Sequence, residues 1–186
     1  MRLFITVIIF FFSVPVWTQE SAAQVNQGQA SSAGLSGEFY GISLGDALTS
    51  VKDRLRGHPY FFYRGDPDVS FLPLTTKILI DCEGRSYVKR GLFQFSDENL
   101  YIMTLYLDPE RMDYFSLFTT LSEKYGRPEI LTPQAAVWQN GQTRLSLEKP
   151  LIIKYIDRET FDKLKSEGEA RSSVEEQSRR SFLDSF

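Results

Sequence analysis

The chain has one cysteine, Cys82, and one histidine, His58. A lone cysteine excludes an internal disulfide framework, so an exported domain built on this sequence has to be held by its apolar core. A lone histidine excludes a cluster of histidine ligands and any catalytic triad that needs a second imidazole. Basic residues are scarce as well: 21 Lys and Arg against 24 Asp and Glu leave a formal net charge of -3. No basic stripe of the kind nucleic acid requires is present, and none of the usual metal or cofactor motifs is found, so no cofactor is expected. Beyond the first two dozen residues no apolar run approaches the roughly 20 residues that a spanning helix needs.

What is present begins with Met1 and Arg2, an apolar run from Leu3 to Trp17 broken only by Thr6, Ser13 and Pro15, and the small residues Ser21-Ala22-Ala23. A basic start, an apolar middle and a small-residue site describe a signal peptide over 1–23, cut after Ala23. The other reading is a membrane anchor, against which stand the shortness of the run and Pro15 near its end. No cysteine follows the run, so a lipid anchor has no attachment point. The protein is therefore expected to be exported, to a periplasm or beyond the cell. Its charge does not change on cleavage, because Arg2 and Glu20 leave together.

Residues 24–37 are Gln, Ser, Ala and Gly with isolated apolar residues, which reads as a flexible tether. The domain spans 38–157, about 120 residues, enough to bury a core of its own. Ser43 and Asp46 resemble a capping box for a helix carrying Leu44, Leu48, Val51 and Leu55, which Gly57 and Pro59 end. Asp108 and Pro109 start a second helix, with Tyr114, Phe118, Leu121 and Tyr125 on one stripe and Gly126 and Pro128 at its end. Strands follow each helix: Lys77 to Cys82, Tyr87 to Ser96 and Asn99 to Leu107, then Ala135 to Gln139, Gln142 to Leu147 and Leu151 to Ile156. Asn140-Gly141 marks a type I′ hairpin. The pattern predicts an α+β, two-layer fold: a tandem repeat, about 38–107 and 108–157, of one helix plus a three-stranded antiparallel meander, with the helices on one face of an antiparallel sheet. The first half carries an insertion, 58–76. After Asp157 a charged helix runs to about Glu169, and the rest of the 158–186 tail is expected to be disordered, tipped by Phe182, Leu183 and Phe186.

Leu44-Gly45, a helix with a central Val, Gly-x-Pro and a meander resemble the small envelope-assembly lipoproteins of the SmpA/OmlA type. The doubling resembles the β-lactamase inhibitor proteins, in which two such units form a sheet that grips a partner protein. Tyr125-Gly126-Arg127-Pro128 with Trp138-Gln139-Asn140-Gly141 is also similar to many exported bacterial proteins. These resemblances imply helices on a sheet and suggest protein binding; they transfer no residue roles.

Three kinds of site come from the residues themselves. Phe93, Phe95 and Tyr155, with Tyr60, Phe62 and Tyr63 of the insertion, could form an aromatic binding surface, since Asn99 to Leu107 is apolar on both faces. Alternatively the segment Tyr60 to Leu74 folds over that patch. Arg64-Gly65-Asp66 matches the tripeptide of integrin ligands, although Gly-Asp-Pro is also ordinary turn chemistry. Asp66, Asp68, Asp81 and Glu83 cluster in sequence but fit no calcium loop. Cys82, alternating with Ile78 and Ile80, reads as a buried thiol rather than a nucleophile. No catalytic residues are assigned. The leading expectation is a non-enzymatic envelope module holding a protein partner; the alternative is a small-ligand or weakly catalytic protein whose insertion closes a pocket, with His58, Asp66 and Asp81 as its polar participants.

The export reading predicts that the chain recovered from an envelope fraction begins at Gln24, which intact-mass measurement checks; a chain still starting at Met1 contradicts it.

Overall fold

The computed structural model describes residues 34–71 and 77–183; the expected signal segment, most of the tether, Leu74 of the insertion and Phe186 lie outside the described residues. The elements in chain order are β1 (Glu38–Phe39), β2 (Ile42–Ser43), α1 (Leu48–Leu55), β3 (Phe61–Phe62), β4 (Val69–Phe71), β5 (Lys77–Gly84), β6 (Val88–Ser96), β7 (Asn99–Leu107), α2 (Tyr114–Tyr125), β8 (Ile130–Leu131), β9 (Ala135–Gln139), β10 (Thr143–Glu148), β11 (Ile152–Asp157) and α3 (Arg158–Leu183). Strands β1 and β2 form a small sheet of their own. The remaining nine make one antiparallel sheet in the order β3-β5-β6-β7-β11-β10-β9-β8, with β4 beside β3 on the β5 edge. The protein is thus α+β, a large antiparallel sheet with a few helices.

Period-two patterning decides which side of the sheet is inside. Ile80, Phe93, Met103, Leu105, Leu145 and Leu147 point to one face and are fully buried. Val51 and Leu55 of α1 and Leu121 and Tyr125 of α2 join them in one cluster. The opposite face mixes polar and apolar side chains. Arg90 grips Asp81 with two hydrogen bonds of 2.8 and 2.5 Å, and Lys154 lies 3.0 Å from Glu148. Leu79, Leu92, Tyr106 and Ile152 stand half-buried among them, and a buried apolar cluster there, Tyr101, Ile102 and Ile156, is covered by Phe161 and Leu164 of α3.

Strand β7 departs from the alternation expected of it. Phe95 pairs with Leu100 and Gln94 with Ile102, so Tyr101 is an extra residue, a bulge. Leu100 therefore lies with Met103 and Leu105 inside, while Tyr101 and Ile102 both face α3.

Both helices start later than the sequence suggests. Asp46 caps the turn at the Ser43 N–H (2.7 Å), and Gly45 (φ 85°) turns the chain along β7. There Gly45 N–H donates to the Leu100 carbonyl, Leu100 N–H to that of Asp46 and Leu48 N–H to that of Glu98. These bonds tie residues 45–48 to the β6–β7 hairpin, with Ala47 bridged to Asn99, and α1 begins only at Leu48. Asp108 closes a separate turn, accepting from the N–H groups of Arg111 and Met112. Asp113 is the cap of α2, taking the Ser116 N–H at 2.9 Å. The helix ends fall as read: Gly57 and Gly126 both have positive φ.

Other expectations are corrected. Gly141 lacks a positive φ, so Asn140-Gly141 is not a type I′ turn. The Asn140 side chain instead accepts from the Gln142 and Thr143 N–H groups. The left-handed pair is Asp97 and Glu98, at φ 49° and 63°. The helix after Asp157 runs to Leu183 rather than stopping near Glu169. The last tether residues are docked: Leu35 is buried, and its carbonyl accepts from the Asn140 amide. The insertion widens the sheet through β3 and β4 instead of folding over it.

Phe61 approaches the sheet where β6 has no side chain. A Cβ on Gly91 would lie 2.5 Å from the Phe61 ring and 3.0 Å from that of Phe93. Gly91→Ala is expected to destabilise the fold by about 1–3 kcal/mol, read as a lower urea midpoint at unchanged slope; an unchanged midpoint contradicts this packing.

Candidate functional site

An aromatic cluster gathers where α1 stops, the β1–β2 turn folds back and the β5–β6 hairpin ends. Gly57 (φ 78°) reverses the chain after α1, and His58 N–H closes on the Leu55 carbonyl at 3.2 Å. This drops the imidazole among four rings: Phe61 at 4.9 Å, Tyr40 at 5.9 Å, Tyr60 at 6.1 Å and Phe39 at 6.5 Å between centroids. Phe61 in turn sets its edge against Phe93, 5.2 Å away and at 82°, which ties the cluster to the core.

On the outside of this plug three tyrosine side chains remain in solvent or half in it. Tyr40 is 61% exposed and Tyr87 45%, and Tyr60 is half-buried between them and the plug. Phe62, 42% exposed, follows the buried Phe61 in β3 and stands opposite Glu83, on the other face of the sheet. Tyr40 and Tyr60 meet edge to face, 4.8 Å apart and at 88°. A hydrogen bond with the Tyr40 side chain is the main cause that raises the Tyr60 pKa, and Tyr87 is near enough to add to it. The Arg85 guanidinium lies 4.9 Å over the Phe62 ring. Tyr40 sits at φ 51° in the turn and Ser86, just before Tyr87, at φ 58°. A left-handed conformation is unfavourable for a residue with a Cβ, by about 1–2 kcal/mol, and such strain concentrates where a side chain must be held out at a fixed angle.

The residues expected from sequence separate into two groups. Tyr60 belongs to this cluster, whereas Phe62 faces the other way and adjoins it only through Arg85. Phe93 and Phe95 are fully buried under the helices and Tyr155 is buried with them, with burial the main cause raising its pKa. They are core residues and not part of a binding surface, because the helices cover the face on which they stand. Tyr63 is half-buried and packs on the same core. Tyr40, Arg85 and Tyr87 were not singled out; the signal available for them was an aromatic residue beside Gly41 and another at a hairpin end.

Arg64, Gly65 and Asp66 form a turn folded back on itself. The buried Asp68 carboxylate takes the Arg64 N–H at 2.7 Å and its Nε at 2.8 Å, so the arginine is held by its own loop, while Asp66 stays exposed in a 3₁₀ turn, Asp66–Asp68. Beside it lies a shallow depression of about 340 Å³ lined by Arg64, Asp68, Asp81, Glu83, Lys89 and Arg90. Its cations are committed: Arg64 to Asp68, Arg90 to Asp81 and Lys89 to Asp108. The Arg90 hydrogen bonds hold the Asp81 carboxyl below its ordinary range. A second depression, about 360 Å³, lies between Glu38, Ser43, Gln142, Asp157 and Glu159. Neither is lined by His58 or Asp66. Among the described residues no three His, Cys, Asp or Glu side chains come together as a metal site.

Cys82 stands on the inner face of β5, fully buried, and burial is the main cause pushing its thiol up to about 12. The thiolate is the reactive form. Cys82 is therefore expected to stay unmodified by a disulfide reagent in the native protein and to react once urea unfolds it; rapid native labelling contradicts this.

No described helix is long and apolar enough to cross a membrane. No curated protein and no solved structure matches the chain, so the resemblances to SmpA/OmlA-type lipoproteins and β-lactamase inhibitor proteins find no support there. A family model described as the TP0088 domain matches residues 37–167, from the start of β1 to just past Leu164, which packs on the sheet. The match takes in more than half of the sequence, both meanders and the whole aromatic cluster, and the chain belongs to the TP0088 domain family.

Proposed function

We propose that this domain is a non-enzymatic binding module of the bacterial envelope that holds a protein partner through Tyr40, Tyr60, Phe62 and Tyr87, with Arg85 at their edge. One observation carries the reading. Tyr40, Tyr60 and Tyr87, from three separate segments, stay at the surface together with Arg85 and Phe62 beside them, while the inner face of the sheet is covered by α1 and α2 and the apolar cluster of the outer face by α3. Tyrosine and arginine dominate the energetics of protein contacts, because each offers a large, stiff apolar area with a polar end. Rings fixed by a plug beneath them lose little freedom on binding, which favours affinity.

Export to a periplasm or beyond is part of the same proposal and rests on the pattern of residues 1–23. The tandem duplication is supported by the sheet order, in which two three-stranded meanders meet through their last strands, β7 and β11. A single helix with three strands is marginal alone, so duplication serves stability as well as width.

The test is a crosslinking pull-down from the native envelope fraction with the mature chain as bait. Tyr40→Ser and Phe62→Ser are each expected to weaken capture of a stoichiometric partner at least about tenfold, with the fold intact by circular dichroism. Phe115→Ser, which alters an exposed ring in α2, is the control and should leave capture unchanged. Undiminished capture by both cluster variants removes this surface from consideration.

A further inference from the structure

The single histidine is built into the support of this surface. His58 is 5% exposed, and its Nδ1 accepts the main-chain N–H of Tyr60 at 3.2 Å. A ring nitrogen that accepts carries no proton, so the imidazole is neutral with its hydrogen on Nε2, a buried atom with no well-formed hydrogen bond, while the Tyr40 main chain beside the ring favours its charged form. A second proton has to enter at Nδ1. There it faces the Tyr60 N–H, donor against donor, and it brings a charge into a site walled by Phe39, Phe61, Tyr40 and Tyr60.

The neighbours on every side are uncharged. From the β1–β2 turn comes Phe39 with the neutral phenol of Tyr40, and from β3 and the residue before it Phe61 and the phenol of Tyr60. From α1 comes the Leu55 carbonyl, whose helix end favours a cation. The basic side chains of that end oppose it, although Arg54 and Arg56 are turned to Asp46 and Asp53. No ionised side chain contributes to the titration of His58: burial lowers its pKa and the Tyr40 main chain opposes in part. Strands β1 and β2 form a sheet separate from the nine-stranded one, so the Tyr40 turn between them is not itself part of the large sheet, while Ile42 and the bonds from residues 45–48 to the β6–β7 hairpin keep the segment anchored.

We infer that His58 makes the aromatic surface acid-labile: a proton on the imidazole breaks the Tyr60 contact and releases Tyr60 from its edge-to-face seat on Tyr40, dissolving the contact surface while the large sheet stays folded. The functional meaning of this device rests on the binding surface proposed above. Because the folded-state pKa lies below the ordinary value of about 6.5, the closed arrangement is complete above that pH and is lost as pH falls through the folded-state value.

The test uses the isolated chain and no partner. Isotope-labelled protein is titrated by NMR from about pH 7.5 to about pH 5. The His58 ring, the Tyr60 amide and the Tyr40 ring are expected to shift with one midpoint, and the Tyr60 amide to lose its exchange protection while β7 amides keep theirs. A Tyr60 amide that stays put while His58 titrates, or a His58 ring that does not titrate over this range, overturns the inference. His58→Asn keeps an acceptor for the Tyr60 N–H but cannot titrate, and should show no acid transition; the same transition in this variant also overturns it. If that variant does not fold, coincidence of the wild-type midpoints decides. Failure of Tyr40→Ser and Phe62→Ser to weaken capture at about pH 7.5 counts against the contact surface alone, whereas the titration judges His58.

Discussion

The bulge at Tyr101 is the constraint on which the two-sided architecture rests. Without the extra residue in β7, strict alternation would place Leu100 on the opposite face from Met103 and Leu105, and the inner layer would lose a fully buried leucine beside Phe95. With it, the strand offers a continuous apolar row to α1 and α2 and still places Tyr101 and Ile102 together on the other side. Those two side chains and Ile156 are what Phe161 and Leu164 sit on. One inserted residue thus supplies both the core and the dock for α3, and bulges are a usual way for a sheet to re-aim side chains in this manner.

Local chemistry was legible in the sequence and long-range chemistry was not. Strand β7 and strand β9 have the bounds that alternation and turn residues indicate, and Gly57 and Gly126 end their helices because a left-handed glycine is a decision taken within one turn. The helix starts were misread for the opposite reason. Ser43 with Asp46, and Asp108, are good helix starts in isolation, but residues 45–48 are bonded to the β6–β7 hairpin, and Asp108 closes a tight turn before Asp113 takes over. Competition between two acceptable caps is settled by partners that lie tens of residues away.

The candidate site was half legible for a related reason. An aromatic block in an insertion, Tyr60 to Tyr63, reads directly as a place to look, and two of its residues stand at the surface. Alternation assigns Phe93 and Phe95 to one face of β6 but cannot say which face the helices take. The Tyr-Gly-x-Pro helix end and the tryptophan hairpin prove to be one unit, since the Trp138 indole donates to the Gly126 carbonyl at 2.7 Å and its ring lies 6.1 Å from that of Phe118. That bond satisfies a carbonyl left over where α2 ends. The motif is therefore about closing a helix onto a strand and carries no ligand chemistry.

Strand β8 has a consequence for the behaviour of many copies together. A nine-stranded sheet ends in a margin of unpaired main-chain groups, and Ile130 and Leu131, both exposed, would make that margin adhesive. Pro128 and Pro133 stand on either side of this two-residue strand, and a proline has no N–H to offer a neighbouring chain. The strand cannot lengthen in either direction, so stacking onto this edge finds too short a template to propagate.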